Sequence, residues 1–173
     1  MSLLNPILPT LERTPAVMLA LLAGLSDEAA RTNYGPGTWC AYEVLGHLIV
    51  GEQIDWMPRV RCILEHGITR AFDPFPHNAT IKPDSGRSLA NLLDAFASLR
   101  VTNLAALRSL NLTPAHLALR GRHPALGEVT MAQLLATWAA HDLHHIRQAC
   151  LALVWPLREH VGPWRAYINT FDR

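Results

Sequence analysis

Charge is scarce in this 173-residue chain: Asp, Glu, Lys and Arg make up 17% of it against 50% apolar residues. The 15 basic and 14 acidic side chains leave a net charge of +1, and no block of like charge appears. Nucleic-acid binders usually carry a basic stripe and a high pI, so nucleic acid is not an expected partner. Cysteine is scarce as well. Cys40, Cys62 and Cys150 are far apart and form no CxxC, which argues against a disulfide framework and for a reducing, cytoplasmic setting. Long apolar runs are missing too. The best stretch, "PAVMLALLAGL", falls well short of the ~20 residues a membrane span needs. The opening "MSLLNPILPTLER" has no basic leader and reaches an acid at Glu12, so it does not read as a signal peptide. The expectation is a soluble protein of one domain, residues 1–173. A chain of this length buries roughly 70% of its unfolded surface and needs no staple to hold a core.

What is present is helix, punctuated by Pro and Gly. A first helix is expected from Thr14 as N-cap, with Pro15 at its first position, to about Gly24. Leu3–Arg13 reads as a separate helix or a kinked extension of the same one. A second runs from about Ala41 to Glu65 and ends before Gly67, with Cys40 and Glu43 in capping-box spacing and a kink expected at Pro58. Residues 68–86, rich in Pro, form a long loop of the kind that often serves function. A third helix spans Ser88 to Leu110, with Leu89, Leu92, Leu93, Phe96, Leu99 and Leu107 as its buried stripe. "NLTPAHLALRGRHPALGE" reads as a connector, and a fourth helix runs from about Thr130 to Val154. No alternating run competes with this reading. The fold class is all-α, most simply a four-helix bundle.

The chemistry concentrates in "HDLHHIRQ", residues 141–148. His141 and His145 lie one turn apart and about 40° apart around the axis, so both rings face one way. Two neutral imidazoles so placed can share a cation. Spacing alone carries little weight, because nine histidines in such a chain produce roughly half an i,i+4 pair by chance. The surroundings carry more: Leu134, Leu135, Trp138, Ile146 and Ala149 make this an apolar, inward-facing helix, where an unpartnered ring is costly. His47, within "VLGHLIVG", sits on a similar stripe with Val44, Val50 and Ile54. Gly51, one turn on, leaves room beside its ring, and Glu43, one turn back, is placed to accept its other N–H. His47, His141 and His145 are then either the three protein ligands of an open metal site or three separately satisfied core histidines. His144 falls about 60° to the other side of His141, toward a neighbouring helix or the bundle edge. Gln148, at i+7, returns to the inner face, where it can orient a ligand ring or a substrate. Asp142 is expected on the helix surface or at an interface. His66, His77, His116, His123 and His160 fall at helix ends or in loops and are expected in solvent. Trp56, Trp155 and Trp164 either pack locally or form an interface.

Read together, "GTWCAYEVLGHLIVGE", "DWMPRV", "HPALGEVTMAQLLATWAAHDLHHIRQ" and "VGPW" resemble, in order and spacing, the DinB-like family, including its YfiT-type metal-dependent hydrolases. The resemblance implies a four-helix bundle whose second and third helices run parallel, joined by a long crossover that residues 68–86 would supply. It implies a divalent metal, zinc or nickel, held by His47, His141 and His145. It also implies a homodimer. Two positions depart from the family pattern: Cys40 stands where a Ser is usual, and His144 where relatives carry another polar residue, which leaves a ligand set using His144 open.

Three neutral imidazoles leave such an ion its full charge. It could activate a water as hydroxide, or hold a low-molecular-weight thiol as thiolate ready to attack an electrophile. The resemblance supports both, since relatives include hydrolases and thiol-dependent S-transferases acting on small molecules. No Glu adjoins the ligand pair as a general base, and Glu52 lies about 140° around the helix from His47. That tilts the reading toward thiol-dependent transfer. The alternatives are hydrolysis and a non-catalytic metal-binding or stress-related interaction module.

Overall fold

The computed structural model describes residues 4–76 and 78–168. Helix α1 spans Leu4–Leu22 and is followed by the short α2, Asp27–Arg31. Helices α3 (Ala41–Ile54) and α4 (Trp56–His66) share one rod, and α5 covers Leu89–Ser109. A short α6, Pro114–Ala118, leads into two strands, β1 (Arg120–His123) and β2 (Gly127–Thr130), and then α7 runs from Met131 to Val154. Two 3₁₀ turns, Trp155–Leu157 and Gly162–Tyr167, follow. The bundle is α1, α3–α4, α5 and α7.

The directions of the helices follow from who meets whom. The Tyr42 hydroxyl, at the start of α3, donates to the Arg87 carbonyl just before α5, and Glu52 further along α3 meets Arg100 further along α5. The two helices therefore run parallel, and the return between them is the 67–88 crossover. His47 faces His141, and Glu52 faces Trp138, so α7 runs antiparallel to α3.

Serine and threonine caps start the helices cleanly. Ser88 accepts from the Asn91 N–H and Thr130 from the Gln133 N–H. Glu43 accepts the Cys40 N–H with its carboxylate, so that half of the capping box at α3 is made.

Three local expectations are refined or corrected. Of the two readings of Leu3–Arg13 the extension holds, so helix α1 does not begin at Thr14 but runs from Leu4 through Pro9 and Pro15. Pro15 cannot donate to the Leu11 carbonyl, and a tertiary donor takes its place: Arg100 Nη1 lies 2.8 Å from that oxygen. The kink expected at Pro58 falls within the turn before it, as a break in the second rod at Asp55. Pro58 leaves the Ile54 carbonyl without its helical donor, and the single residue Asp55, at φ −109° and ψ −71°, takes up the break. The connector before α7 holds the antiparallel hairpin, Arg120 opposite Thr130 through His123 opposite Gly127. Four residues per strand with no apolar alternation leave too little pattern to see in advance. Ala71 of the crossover forms a parallel bridge with Arg122 and pins the loop to this hairpin.

The core falls into two apolar clusters. One gathers Met18, Leu45, Leu48, Leu92, Phe96 and Ala149. The other gathers Leu11, Val60, Leu104, Leu135 and Trp138. Between them lies a buried polar layer to which each bundle helix contributes: Thr14, Glu52, Arg100 and Asp142. Arg100 is the hub. Its guanidinium meets Glu52 at 2.8 Å, Asp142 at 2.6 Å and the Leu11 carbonyl at 2.8 Å. One side chain thus ties all four helices. Burial opposes its charge, but Asp142 and then Glu52 hold its pKa above the ordinary value.

Candidate metal centre

The site is built one turn above the polar layer, between α3 and α7. His47 is 4% exposed in the middle of α3. Its Nδ1 lies 2.7 Å from the Ala79 carbonyl of the crossover. Across from it, His141 Nε2 stands 3.2 Å from His47 Nε2 and 3.0 Å from His145 Nε2. The Nδ1 of His145 lies 2.7 Å from Gln148 Oε1. A carbonyl oxygen only accepts, so the rings of His47 and His145 carry a proton on Nδ1 and point Nε2 inward as the atom available for ligation. The Nδ1 of His141 is buried without a hydrogen-bond partner.

Burial, reinforced by His145 and His47, pushes the pKa of His141 down to about 2. Burial followed by His47 pushes His145 down to about 4. Both rings are uncharged at neutral pH, the state a metal needs. The donor set fits a small divalent cation. Two bonds of ~2.05 Å at a tetrahedral angle put their nitrogens about 3.3 Å apart, close to the 3.0 and 3.2 Å found here. Among the described residues this trio is the group of His, Cys, Asp and Glu side chains close enough to hold an ion, with all ligand atoms within 4.8 Å of one another.

Aromatic rings hold the histidines in place. Trp39 lies 4.6 Å from the His47 ring and stacks on His145 at 5.9 Å. Trp56 meets His141 edge-on at 5.0 Å and stacks on Trp138 at 5.7 Å. The Trp138 indole N–H in turn donates to Glu52 at 3.0 Å. The histidines open on a cavity of about 680 Å³ walled by Trp39, Trp56, Phe72, Phe75, Leu126 and Leu134.

The structure brings His47, His141 and His145 together, with Gln148 on the His145 ring. Glu43 is not on the His47 ring. The Ala79 carbonyl holds that place, and Glu43 binds the Cys40 N–H and Lys82 Nζ instead. The space at Gly51 is also taken: a Cβ there would stand 3.2 Å from Trp56 Nε1. Asp142 is a correction as well. It is fully buried and paired with Arg100, because a charge on the facing helix, invisible from the spacing along α7, pulls it into the core. Glu52 is committed to Arg100, Asn103 and Trp138. His144 is exposed on the cavity wall with its ring 5.1 Å from His145.

Among the remaining histidines, His160 is exposed, whereas His66 and His116 are half-buried. His123 is half-buried on the cavity wall, where its Nδ1 accepts the N–H groups of Ala125 and Leu126. His77 lies outside the described residues. Trp56 is buried, Trp155 packs on Tyr34 at 6.2 Å, and Trp164 is 69% exposed. Sequence reasoning missed Arg59, Arg100, Phe72 and Phe75. Their roles depend on partners far along the chain, and no local spacing signals them.

A profile of the DinB superfamily matches residues 10–149, a span that takes in all three histidines. The chain belongs to the DinB superfamily. Among solved structures, YfiT from Bacillus subtilis is similar, with a TM-score of 0.75 at 21% identity over 90% of this chain and 86% of that one. It is described as a probable metal-dependent hydrolase with an unusual four-helix bundle topology. At that identity the likeness speaks to the fold. No curated protein matches the chain in sequence.

Proposed function

We propose that this DinB protein is a divalent-metal-dependent enzyme acting on a small molecule, with His47, His141 and His145 as the ligands. The supporting observation is the convergence of three imidazole nitrogens at the foot of an apolar cavity, two of them aimed by acceptors on their far sides. Three protein ligands leave a position free for a reactant, which separates a catalytic site from a structural one closed by four. Zinc and nickel both suit a neutral nitrogen set. A metal bound here would supply Lewis acidity, lowering the pKa of a thiol or water that reaches the open position.

The chain's own residues favour the thiol. Asp55 is the one carboxylate on the cavity wall among the described residues, and it is engaged by Arg59 at 2.5 Å. Glu52 is locked in the polar layer. A bound cation brings water only to a pKa of ~7, where a nearby base helps carry the proton away, whereas a coordinated thiol is deprotonated outright. Thiol-dependent transfer is therefore the first reading, with a low-molecular-weight thiol as co-substrate. Trp39 and Phe75 pack around His47 and exclude water from its side of the site, and Gln148 keeps the His145 proton on Nδ1. Hydrolysis is the second reading, supported by what is said of YfiT.

Elemental analysis of the purified protein and of His141→Ala is the test. About one equivalent of zinc or nickel in the wild type, lost in the variant, is the expected result. A wild type that stays metal-free after zinc is added and the excess removed would overturn the proposal. With the metal established, thiol consumption against a panel of electrophiles separates transfer from hydrolysis.

A further inference from the structure

Among the described residues, the cavity wall contains one cation that the histidine site does not use, Arg59. Arg59 sits on the first turns of α4 with its side chain only 11% exposed, and its guanidinium lies 5.3 Å over the Phe72 ring. Its Nε is 2.5 Å from Asp55 Oδ1, one helical turn back. Its two Nη groups make no hydrogen bond among the described residues, and Arg59 and Phe72 line both the 680 Å³ cavity and a smaller one of about 270 Å³. Guanidinium is a planar fork, and with Nε engaged it still offers the Nη1/Nη2 edge, which matches two oxygens of a carboxylate. An arginine whose only role was to brace the break at Asp55 would have no need to border the space in front of the metal ligands.

We infer that Arg59 is a specificity-determining residue, and that the substrate taken up is a small acid with an aromatic or aliphatic body and a carboxylate. The apolar body would lie among Trp39, Trp56, Phe75 and Leu126, and the carboxylate would take the free edge of Arg59. This inference rests on the enzymatic reading above for its meaning, but its binding test does not need the metal. The wall supports the charge preference. Among the described residues of the wall Asp55 is the one carboxylate, and it is paired with Arg59.

The test uses 4-phenylbutyrate and its neutral amide as probes, followed through tryptophan fluorescence and calorimetry on the full chain, zinc-loaded and metal-free. The acid is expected to bind about ten-fold tighter than the amide in both forms, the usual worth of a charged hydrogen bond. Arg59→Gln is expected to abolish that preference while leaving metal content and amide binding unchanged. Arg59→Lys keeps the charge without the fork and should retain only part of the preference. It also serves as the readout if Arg59→Gln fails to fold. Equal binding of acid and amide, no binding of the acid to the wild type at millimolar concentration, or a preference that survives Arg59→Gln would each overturn the inference. A preference that disappears with zinc and ignores Arg59 would assign the acid to the metal, sinking this inference and sparing the proposed function. An Arg59-dependent preference in a protein that never takes up metal would do the reverse.

Discussion

Gln148 and the Ala79 carbonyl perform the same task on two different rings. Each accepts an Nδ1 proton at 2.7 Å and so turns Nε2 toward the shared point. Partners of this kind typically tune metal affinity about 10- to 100-fold, and Gln148→Leu is expected to weaken zinc binding by that factor with the fold intact. Competition against a chromogenic chelator measures it. Protonation gives a second prediction for the metal-free protein. His141 and His145 titrate at about 2 and about 4 in the folded state, both lowered chiefly by burial from 6.5. The unfolded chain therefore takes up protons first. The stability contribution is complete above pH 6.5 and is lost as pH falls from there toward the folded values, by up to about 1.4 kcal/mol per pH unit for each ring. Urea midpoints at pH 7.5 and 5.5 should show the drop, and no drop would mean the rings are not buried as neutral bases.

Among the elements, the crossover contributes most to the site despite having little regular structure. It supplies Ala79 to His47, and Thr80 Oγ1 donates to the Glu43 carbonyl. It comes this close because position 46 has no side chain. A Cβ on Gly46 would stand 2.7 Å from the Ile81 nitrogen and 2.8 Å from its carbonyl oxygen, both backbone atoms that cannot swing aside. Gly46→Ala is expected to cost about 1–3 kcal/mol, the usual range for overpacking, and to lower zinc affinity as the loop lifts off His47. A Tm that falls without any change in metal affinity would show that the loop braces the bundle but not the ligand. The histidine pattern and the extents of α5 and α7 were legible in the sequence because each depends on neighbours within a turn or two. The choice of one continuous α1 over two helices and the role of Asp142 were not, because both depend on Arg100, far along the chain.

For the whole molecule, the polar layer holds four helices in one register and sits beside the metal site. Arg100→Met would leave Glu52 and Asp142 as buried carboxylates without their counter-ion, and the expected loss is about 3–5 kcal/mol. Adding Glu52→Gln and Asp142→Asn to the same chain should recover part of it, which chemical denaturation of the two variants would read directly. If the single variant costs no more than a surface substitution, the layer is not the clamp described here.

The sequence by itself determined the long helices and the inward face on which His141 and His145 fall, because these follow from periodicities of a few residues and the chemistry of single side chains. Only the tertiary structure decided which rings meet and what aims them. It set a backbone carbonyl rather than Glu43 on His47, committed Glu52 and Asp142 to Arg100, and brought Arg59 to the wall of the cavity. Each of those outcomes turns on a partner from another helix or from the crossover, and distance along a chain carries no record of which charges and lone pairs packing will place within 3 Å of one another.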